Sequence, residues 1–146
     1  MTLEERIQRL EDIEAIRLLK HRYLNACDTK QVKRVRDCFA EGEILIDYGP
    51  VGVFQDRDQF AELFRVMACH NHVVDLHHGA NPEIKVEGDS ALARWALFYF
   101  NIDARSGATK QLGGIYEDEY QKIDGEWKIS RTTFKAHSFH NTEKAE

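Results

Sequence analysis

The second half of the chain consists of long extended runs separated by turn signals, and this pattern constrains the fold more than any other feature. The runs lie near residues 91–103, 110–123 and 126–138, and Asp124-Gly125 between the last two is typical of a tight hairpin. Strands joined by short turns pair antiparallel, and long antiparallel strands twist and curl. We therefore predict a curved, mainly antiparallel sheet.

The first half of the chain predicts three helices. Thr2 followed by Glu5 is typical of a capping box that opens a long helix. A shorter helix is predicted from about Gln31 to Phe39, and a third begins after Asp56. The apolar side of the first helix comprises Leu3, Ile7, Leu10, Ile13, Ile16, Leu19, Tyr23 and Ala26. Helices followed by antiparallel strands make the class α+β, with a pocket between the helices and the curved sheet.

Length and charge narrow the possible functions. At 146 residues we expect one domain over residues 1–140, followed by a polar tail at 141–146. The net charge of −5 argues against a nucleic-acid partner, which needs a basic surface. The sequence contains no apolar run of membrane-spanning length and no secretory leader pattern, so we expect a cytoplasmic protein with no membrane partner. Its three cysteines form no CxxC pair and are expected to stay reduced.

The adjacent histidines His77 and His78 lie in an extended run, so a strand there directs one imidazole to each face of the sheet. Histidine takes and returns protons near neutral pH, which makes the inward ring a candidate catalyst. His78 shares its face with Val74 and Leu76, whereas His77 shares its face with Val73 and Asp75. Apolar neighbours alone favour His78, and periodicity leaves both alternatives open.

Tyr23 and Asp28 are candidate site residues at the end of the first helix. A carboxylate at a helix C-terminus meets the negative end of the helix dipole, which is unfavourable and suggests a function. Alternatively, Asp28 followed by Gln31 is typical of the N-cap of the second helix, and the two roles are compatible. His70 and His72 lie near the histidine pair, but no known ligand spacing accompanies them, so we predict no metal. No phosphate-binding or nucleophile motif is present, so we also predict no cofactor.

Aromatic stripes on the later strands are candidates for the pocket wall. Trp95, Tyr99 and Asn101 share one parity, and Tyr116 lies on the next strand. Such stripes are usually core, and as an alternative they bind a flat, ring-containing substrate. The opposite parity carries Phe98, an apolar position that we expect to bury in a homodimer.

Several segments together resemble the SnoaL-like branch of the nuclear-transport-factor-2-like superfamily, which includes scytalone dehydratase, bile acid 7α-dehydratase, ketosteroid isomerase and polyketide cyclases. The likeness covers nearly the whole chain. Its segments are Leu10-Glu11-Asp12-Ile13-Glu14-Ala15-Ile16, Arg22-Tyr23-Leu24 with Asp28, Ile46-Asp47-Tyr48-Gly49, His77-His78-Gly79-Ala80-Asn81-Pro82 and Gly114-Ile115-Tyr116-Glu117-Asp118-Glu119-Tyr120.

The resemblance implies a cone-shaped mixed sheet wrapped around the N-terminal helices, with a deep pocket. It implies that Tyr23, Asp28 and His77 are the catalytic residues, and this favours His77 over His78. Tyr48 matches a second pocket tyrosine of the scytalone dehydratase group. Relatives carry a pocket arginine or asparagine near the last strands, for which the candidates here are Lys135, His137 and Asn101.

The function expected from this resemblance is a cofactor-free dehydratase or isomerase acting on a cyclic, polyketide-like or steroid-like ketone. Two alternatives remain at this point. One is a non-catalytic protein that binds an apolar ring compound in the same pocket. The other is a structural subunit, like the small subunits of ring-hydroxylating dioxygenases, which share the fold.

Overall fold

The computed structural model describes residues 1–142, and the predicted positions 143–146 of the polar tail lie outside the described residues. The helices are α1 (Leu3–Asp28), α2 (Val32–Asp37) and α3 (Arg57–Ala68), and a single 3-10 turn covers Gly49–Val51. The strands are β1 (Leu45–Asp47), β2 (Val53–Phe54), β3 (Val73–Glu87), β4 (Ser90–Asp103), β5 (Thr109–Ile123) and β6 (Glu126–Asn141).

One six-stranded sheet has the order β2-β1-β6-β5-β4-β3. All neighbours pair antiparallel except β1 and β6, which are parallel. The predicted tight hairpin joins β5 to β6, where Asp124 and Gly125 both have positive φ angles, as this kind of turn requires. The sheet is curved, mixed and not closed, which confirms the predicted α+β cone.

The first helix begins as predicted and then extends beyond the sheet. Thr2 and Glu5 form the reciprocal hydrogen bonds of a capping box. However, Leu3 and Leu10 are well exposed, so the apolar stripe predicted for this end is not buried. A helix of 26 residues is about 39 Å long, and only the part from Asp12 onward packs against the sheet.

The second helix is shorter than predicted because the residues that follow it pair with β6. Phe39 forms a parallel bridge with Ile129. The Ala40 N–H donates to the Ile129 carbonyl at 2.9 Å, and the Ile129 N–H donates to the Cys38 carbonyl at the same distance. Pairing with a strand requires extended backbone, so the helix ends at Asp37, and Cys38, its C-cap, is the last residue with helical dihedral angles.

A buried ion pair lies in the core between α1 and the sheet. The ammonium group of Lys20 is 2.8 Å from Asp118 Oδ2, and both side chains are fully buried. The hydroxyls of Tyr120 and Thr132 each donate to the Asp118 carboxylate at 2.6 Å. Burial lowers the pKa of Lys20, and the attraction of Asp118 opposes this effect. The same ammonium lies 3.6 Å from the centroid of the Tyr116 ring, a cation–π contact.

The outer face of the sheet is exposed and partly apolar. Val74, Leu76 and Phe98 have exposed fractions of 42%, 44% and 51%. Within residues 1–142, no helix combines the length and apolar character that crossing a membrane requires.

Candidate active site

A cavity of about 390 Å³ lies between the helices and the inner face of the sheet. Its walls are mostly apolar, and the exposed Val51 and Met67 stand at its mouth. The lining residues are Tyr23, Cys27, Tyr48, Pro50, Val51, Phe60, Leu63, Phe64, Met67, Ala68, Asp75, His77, Leu97, Tyr99, Leu112, Tyr116 and Phe134. A larger depression of about 660 Å³ on the outer face is lined by charged side chains such as Arg94 and Glu117. The inner cavity matches small-molecule sites better, because it is apolar with a few polar groups.

The register of β3 directs His77 into this cavity. His77 pairs with Tyr99 and is half-buried, whereas His78 pairs with Phe98 and is exposed on the outer face. The β3–β4 pairing is regular from Val73 to Ala80, and its only shift comes between Ala80 and Glu83. The irregularity therefore lies beyond the histidines and leaves their register unchanged.

Asp28 holds His77 through both ring and backbone. His77 Nδ1 lies 2.6 Å from Asp28 Oδ1, and the His77 backbone N–H donates to the two carboxylate oxygens at 3.1 and 3.0 Å. A carboxylate only accepts hydrogen bonds, so the contact assigns the proton to Nδ1 and leaves Nε2 of the neutral ring as a proton acceptor. Asp28 does not cap α2, whose N-cap is Gln31.

Gly79 allows α1 to approach the strand that carries His77. A Cβ added at Gly79 would lie 2.6 Å from Leu24 Cδ1, closer than carbon atoms normally approach. The absence of a side chain therefore lets the last turn of α1 pack directly on β3. This close approach brings Asp28, at the end of the helix, within reach of the strand.

Tyr23 and Tyr48 form a pair of phenols in the cavity wall, with their hydroxyl oxygens 2.7 Å apart. One hydroxyl donates to the other, so the second proton remains available to a ligand. Burial is the main cause that raises the pKa of each of these phenols well above its usual range. Both therefore stay neutral at physiological pH, and the pair offers a hydrogen-bond donor to the cavity.

Asp75, Tyr99 and Asn101 form a second polar group, in which Tyr99 and Asn101 were predicted from the sequence and Asp75 was not. Tyr99 Oη donates to Asp75 Oδ1 at 2.5 Å, and Asn101 Nδ2 donates to the same oxygen at 2.7 Å. Asp75 and Tyr99 line the cavity, and the Tyr99 ring centroid is 4.7 Å from that of His77. The signal that could have found Asp75 is its position two residues before His77, on the same face of β3.

The structure places most of the predicted substrate-binding residues in the cavity wall, with two exceptions. Trp95 is fully buried and does not line the cavity, because it packs against His21 and donates from its indole nitrogen to Tyr120 Oη at 3.2 Å. Asn101 reaches the cavity only through Asp75. The predicted residues that do line the cavity are Tyr23, Tyr48, His77, Tyr99 and Tyr116.

No counterpart of the pocket arginine or asparagine of relatives is found on β6. Lys135 and His137 are exposed on the outer side of the strand, and Phe134 occupies the cavity wall instead. His70 and His72 stack on each other at 5.5 Å between ring centroids and do not line the cavity. Among the described residues, no group of three or more His, Cys, Asp or Glu side chains is arranged to hold a metal.

An α+β cone with a mostly apolar cavity, a histidine–aspartate pair and a tyrosine pair defines a small-molecule enzyme or pocket protein. The comparison with protein families gives the same class and makes it specific. Residues 8–133 match the model of the SnoaL-like domain, so the chain belongs to this family. The resemblance seen in the sequence is thereby confirmed.

Solved structures with the same fold support this assignment. A provisionally named scytalone dehydratase from Novosphingobium aromaticivorans DSM 12444 superposes with a TM-score of 0.83 at 20% identity, covering 94% of this chain and 91% of that chain. A type 2 hexachlorocyclohexane dehydrochlorinase (LinA) gives 0.84 at 19% identity, covering 95% and 94%. The type 3 enzyme from Novosphingobium barchaimii LL02 gives 0.82 at 18% identity, covering 92% of each chain. At these identities the likeness establishes the fold.

Proposed function

We propose that this protein is a cofactor-free lyase or isomerase that acts on a cyclic ketone or β-hydroxy ketone, with His77 as the general base. The observation that carries the proposal is the 2.6 Å contact of Asp28 with Nδ1 of His77, whose ring lines a mostly apolar cavity. Partly buried imidazoles that a carboxylate orients in this way are typical of general bases. The dehydratase and dehydrochlorinase names of two structural neighbours denote loss of water and of hydrogen chloride, and both are elimination reactions, as is the dehydration proposed here.

The first step is removal of a proton from the carbon next to the carbonyl. His77 Nε2 accepts this proton, and Asp28 stabilises the imidazolium that forms. The electron pair of the broken C–H bond moves toward the carbonyl oxygen, where the Tyr23–Tyr48 pair donates a hydrogen bond to the developing enolate. Because both phenols stay neutral, the pair stabilises this charge without transferring a proton.

The second step returns the proton from His77. In a dehydratase, the enolate electrons expel the β-hydroxyl group, which takes the proton from Nε2 and leaves as water, so a β-hydroxy ketone becomes an enone. In an isomerase, the same proton is delivered to another carbon of the conjugated system. The complete cycle begins and ends with neutral His77, and it consists only of proton transfers and loss of water, so no external oxidant or reductant is needed.

The two alternatives differ in how they use the site. A structural subunit has no need for an aspartate that fixes both the ring and the backbone of an inward histidine, and the three contacts between Asp28 and His77 therefore disfavour it. A non-catalytic binding protein uses the same apolar cavity. It predicts retention of an unchanged ring compound.

The test measures deuterium exchange at the α-carbon of 1-indanone and cyclohexanone in D2O, and enone formation from 3-hydroxycyclohexanone by ultraviolet absorbance. The variants are His77→Gln and Asp28→Asn, with His78→Gln as the matched control on the outer face. We expect His77→Gln to lose roughly 10²- to 10⁴-fold of the wild-type rate. The Asp28→Asn loss should be non-additive with it, and His78→Gln should match the wild type.

Equal rates for the wild type and His77→Gln would exclude His77 as the base. If the wild type accelerates neither reaction, mass spectrometry of the purified protein after denaturation gives the decisive result. A released ring compound that is chemically unchanged after prolonged incubation would favour the binding protein.

A further inference from the structure

We propose that Asp75 and Tyr99 form an acceptor subsite inside the cavity that binds a hydroxyl group of the ligand. The subsite would favour ring-containing ketones that also carry a hydroxyl group over ketones that lack one. This inference deepens the proposed function and rests on it for the ketone, although the subsite itself is tested by binding alone.

The burial of Asp75 is the first observation. The residue has an exposed fraction of 8%, lies on the inner face of β3, and contributes to the cavity wall. Burying a carboxylate costs free energy unless other groups compensate for the lost water. A carboxylate in this position therefore needs a compensating partner.

The second observation is that, among the described residues, Asp75 has no basic side chain beside it. The described residues include two other buried aspartates, and each has a lysine partner: Asp12 lies 3.0 Å from Lys122, and Asp118 lies 2.8 Å from Lys20. Within residues 1–142, no Lys, Arg or His side chain comes within 4.0 Å of the Asp75 carboxylate oxygens. Asp75 is thus the one of the three that is left facing the cavity without a charge partner.

The distribution of protons around Asp75 is the third observation. Tyr99 and Asn101 both donate to Oδ1, whereas Oδ2 accepts no hydrogen bond from any residue in the described part of the chain. The proton of Tyr99 is committed to Asp75, so its oxygen can only accept from a ligand. Burial, and secondarily Asp75, raise the pKa of Tyr99, which keeps that proton in place. The subsite therefore offers acceptors and no free donor.

A hydroxyl group fits this subsite better than an ammonium group. The surrounding wall is apolar, with Leu97 and Met67 among its members, and a cation would lose its hydration there. A ligand cation near His77 would also oppose the positive charge that the ring acquires as a base. A neutral hydroxyl satisfies Oδ2 without either cost.

The two polar groups of the cavity suit different functional groups of a ligand, so together they would fix the orientation in which it binds. The Tyr23–Tyr48 pair offers a donor and so suits a carbonyl oxygen, whereas Asp75 and Tyr99 suit a hydroxyl. The Tyr99 ring packs beside the His77 ring. A ligand held at both groups would have its position relative to His77 fixed, which is how remote binding contributes to orientation.

The experiment compares two matched series of ketones by isothermal titration calorimetry. The longer series is 6-acetyl-2-naphthol, 2-acetylnaphthalene and 2-acetyl-6-methoxynaphthalene, and the shorter is 4-hydroxyacetophenone, acetophenone and 4-methoxyacetophenone. In at least one series we expect the hydroxyl compound to bind the wild type about tenfold or more tightly than its parent, because hydrogen bonds to charged acceptors are the stronger kind. The methoxy compound should bind no better than the parent, since it has no proton to donate.

The variants locate this preference. Asp75→Asn replaces one acceptor oxygen by a donor and should reduce the preference for the hydroxyl compound to about onefold. Tyr48→Phe, in the other polar group, should weaken the binding of the hydroxyl compound and of its parent alike. The ratio of their two affinities should therefore stay unchanged. A wild type that binds neither series, or binds both without a preference for the hydroxyl, would overturn the subsite. So would a preference that survives in folded Asp75→Asn.

Deuterium exchange of the acetyl methyl group separates this inference from the proposed function. A hydroxyl preference that depends on Asp75, without exchange above background, would support the subsite and contradict the proposed chemistry. Exchange that depends on His77, without a hydroxyl preference, would support the proposed chemistry and contradict the subsite. If Asp75→Asn fails to fold, the two wild-type series still decide the question.

Discussion

Raising the pH above 10 should unfold this protein cooperatively, because its phenols are held neutral in the interior. All five tyrosines have a raised pKa in the folded state, and burial is the largest cause for each. In the unfolded chain the same phenols ionise near their ordinary value of 10.0. Above that pH the unfolded state binds fewer protons than the folded state, so stability falls as the pH rises. The contribution is fully present below pH 10 and is lost above it.

The size of the effect follows from the three most buried phenols. Tyr23, Tyr116 and Tyr120 have exposed fractions of 2%, 5% and 1%. At pH 11 each of these phenols, protonated in the folded state and ionised in the unfolded state, lowers the free energy of unfolding by about 1.4 kcal/mol. The three together lower it by about 4 kcal/mol. Burial also raises the pKa of the Cys38 thiol to about 11, which acts in the same direction. Since whole domains are stable by roughly 5–15 kcal/mol, and the loss from the three phenols grows to about 8 kcal/mol at pH 12, the alkaline transition should lie between about pH 11 and 12.

The assay follows tyrosinate absorbance at 295 nm and far-ultraviolet circular dichroism in the same pH titration. We expect the phenols to ionise together with the loss of secondary structure, in one steep transition. The protein in 6 M guanidinium chloride is the control and should titrate gradually near pH 10. Gradual ionisation of the native protein near pH 10 with unchanged circular dichroism would refute the reasoning, since the phenols would then be accessible to water.

Two further perturbations test the core and the outer face. Lys20→Met leaves Asp118 buried without its cation, so we expect a loss of about 3–5 kcal/mol in the free energy of unfolding, measured in urea; a loss below about 1 kcal/mol would show that the pair contributes little. We also propose a homodimer through the outer sheet face, where Phe98 is 51% exposed. Phe98→Asp should sediment as a monomer and the control Val53→Asp as a dimer, and a wild-type monomer would contradict the proposal.

The architecture was predictable because its signals are local. The capping box at Thr2, the hairpin at Asp124-Gly125 and the long alternating runs each depend on residues close in sequence. The ends of elements were less predictable. Helix α2 stops before Cys38 because the distant strand β6 captures the following residues, and no local pattern reports that contact.

The candidate site was predictable in part, and the failures have physical causes. Apolar neighbours favoured His78 because Val74 and Leu76 stand on an outer face that is itself apolar, so hydrophobicity does not mark the inside of this strand. Parity placed Trp95 on the inner face, but parity gives the side of a strand and not the position along it. The ion pair of Lys20 with Asp118 joins residues far apart in sequence, and its partner could not be inferred from periodicity.

Asp28 hydrogen-bonds to both the ring and the backbone of His77, and this has a consequence for how the protein can change by mutation. In many enzymes the polar residues of the site destabilise the fold, so their loss exchanges activity for stability. Asp28 instead connects the end of α1 to the backbone of β3 and to the ring of His77. Its substitution should reduce both properties together. Selection for thermal stability alone would therefore conserve Asp28, and a descendant that had lost its chemistry would still retain this aspartate.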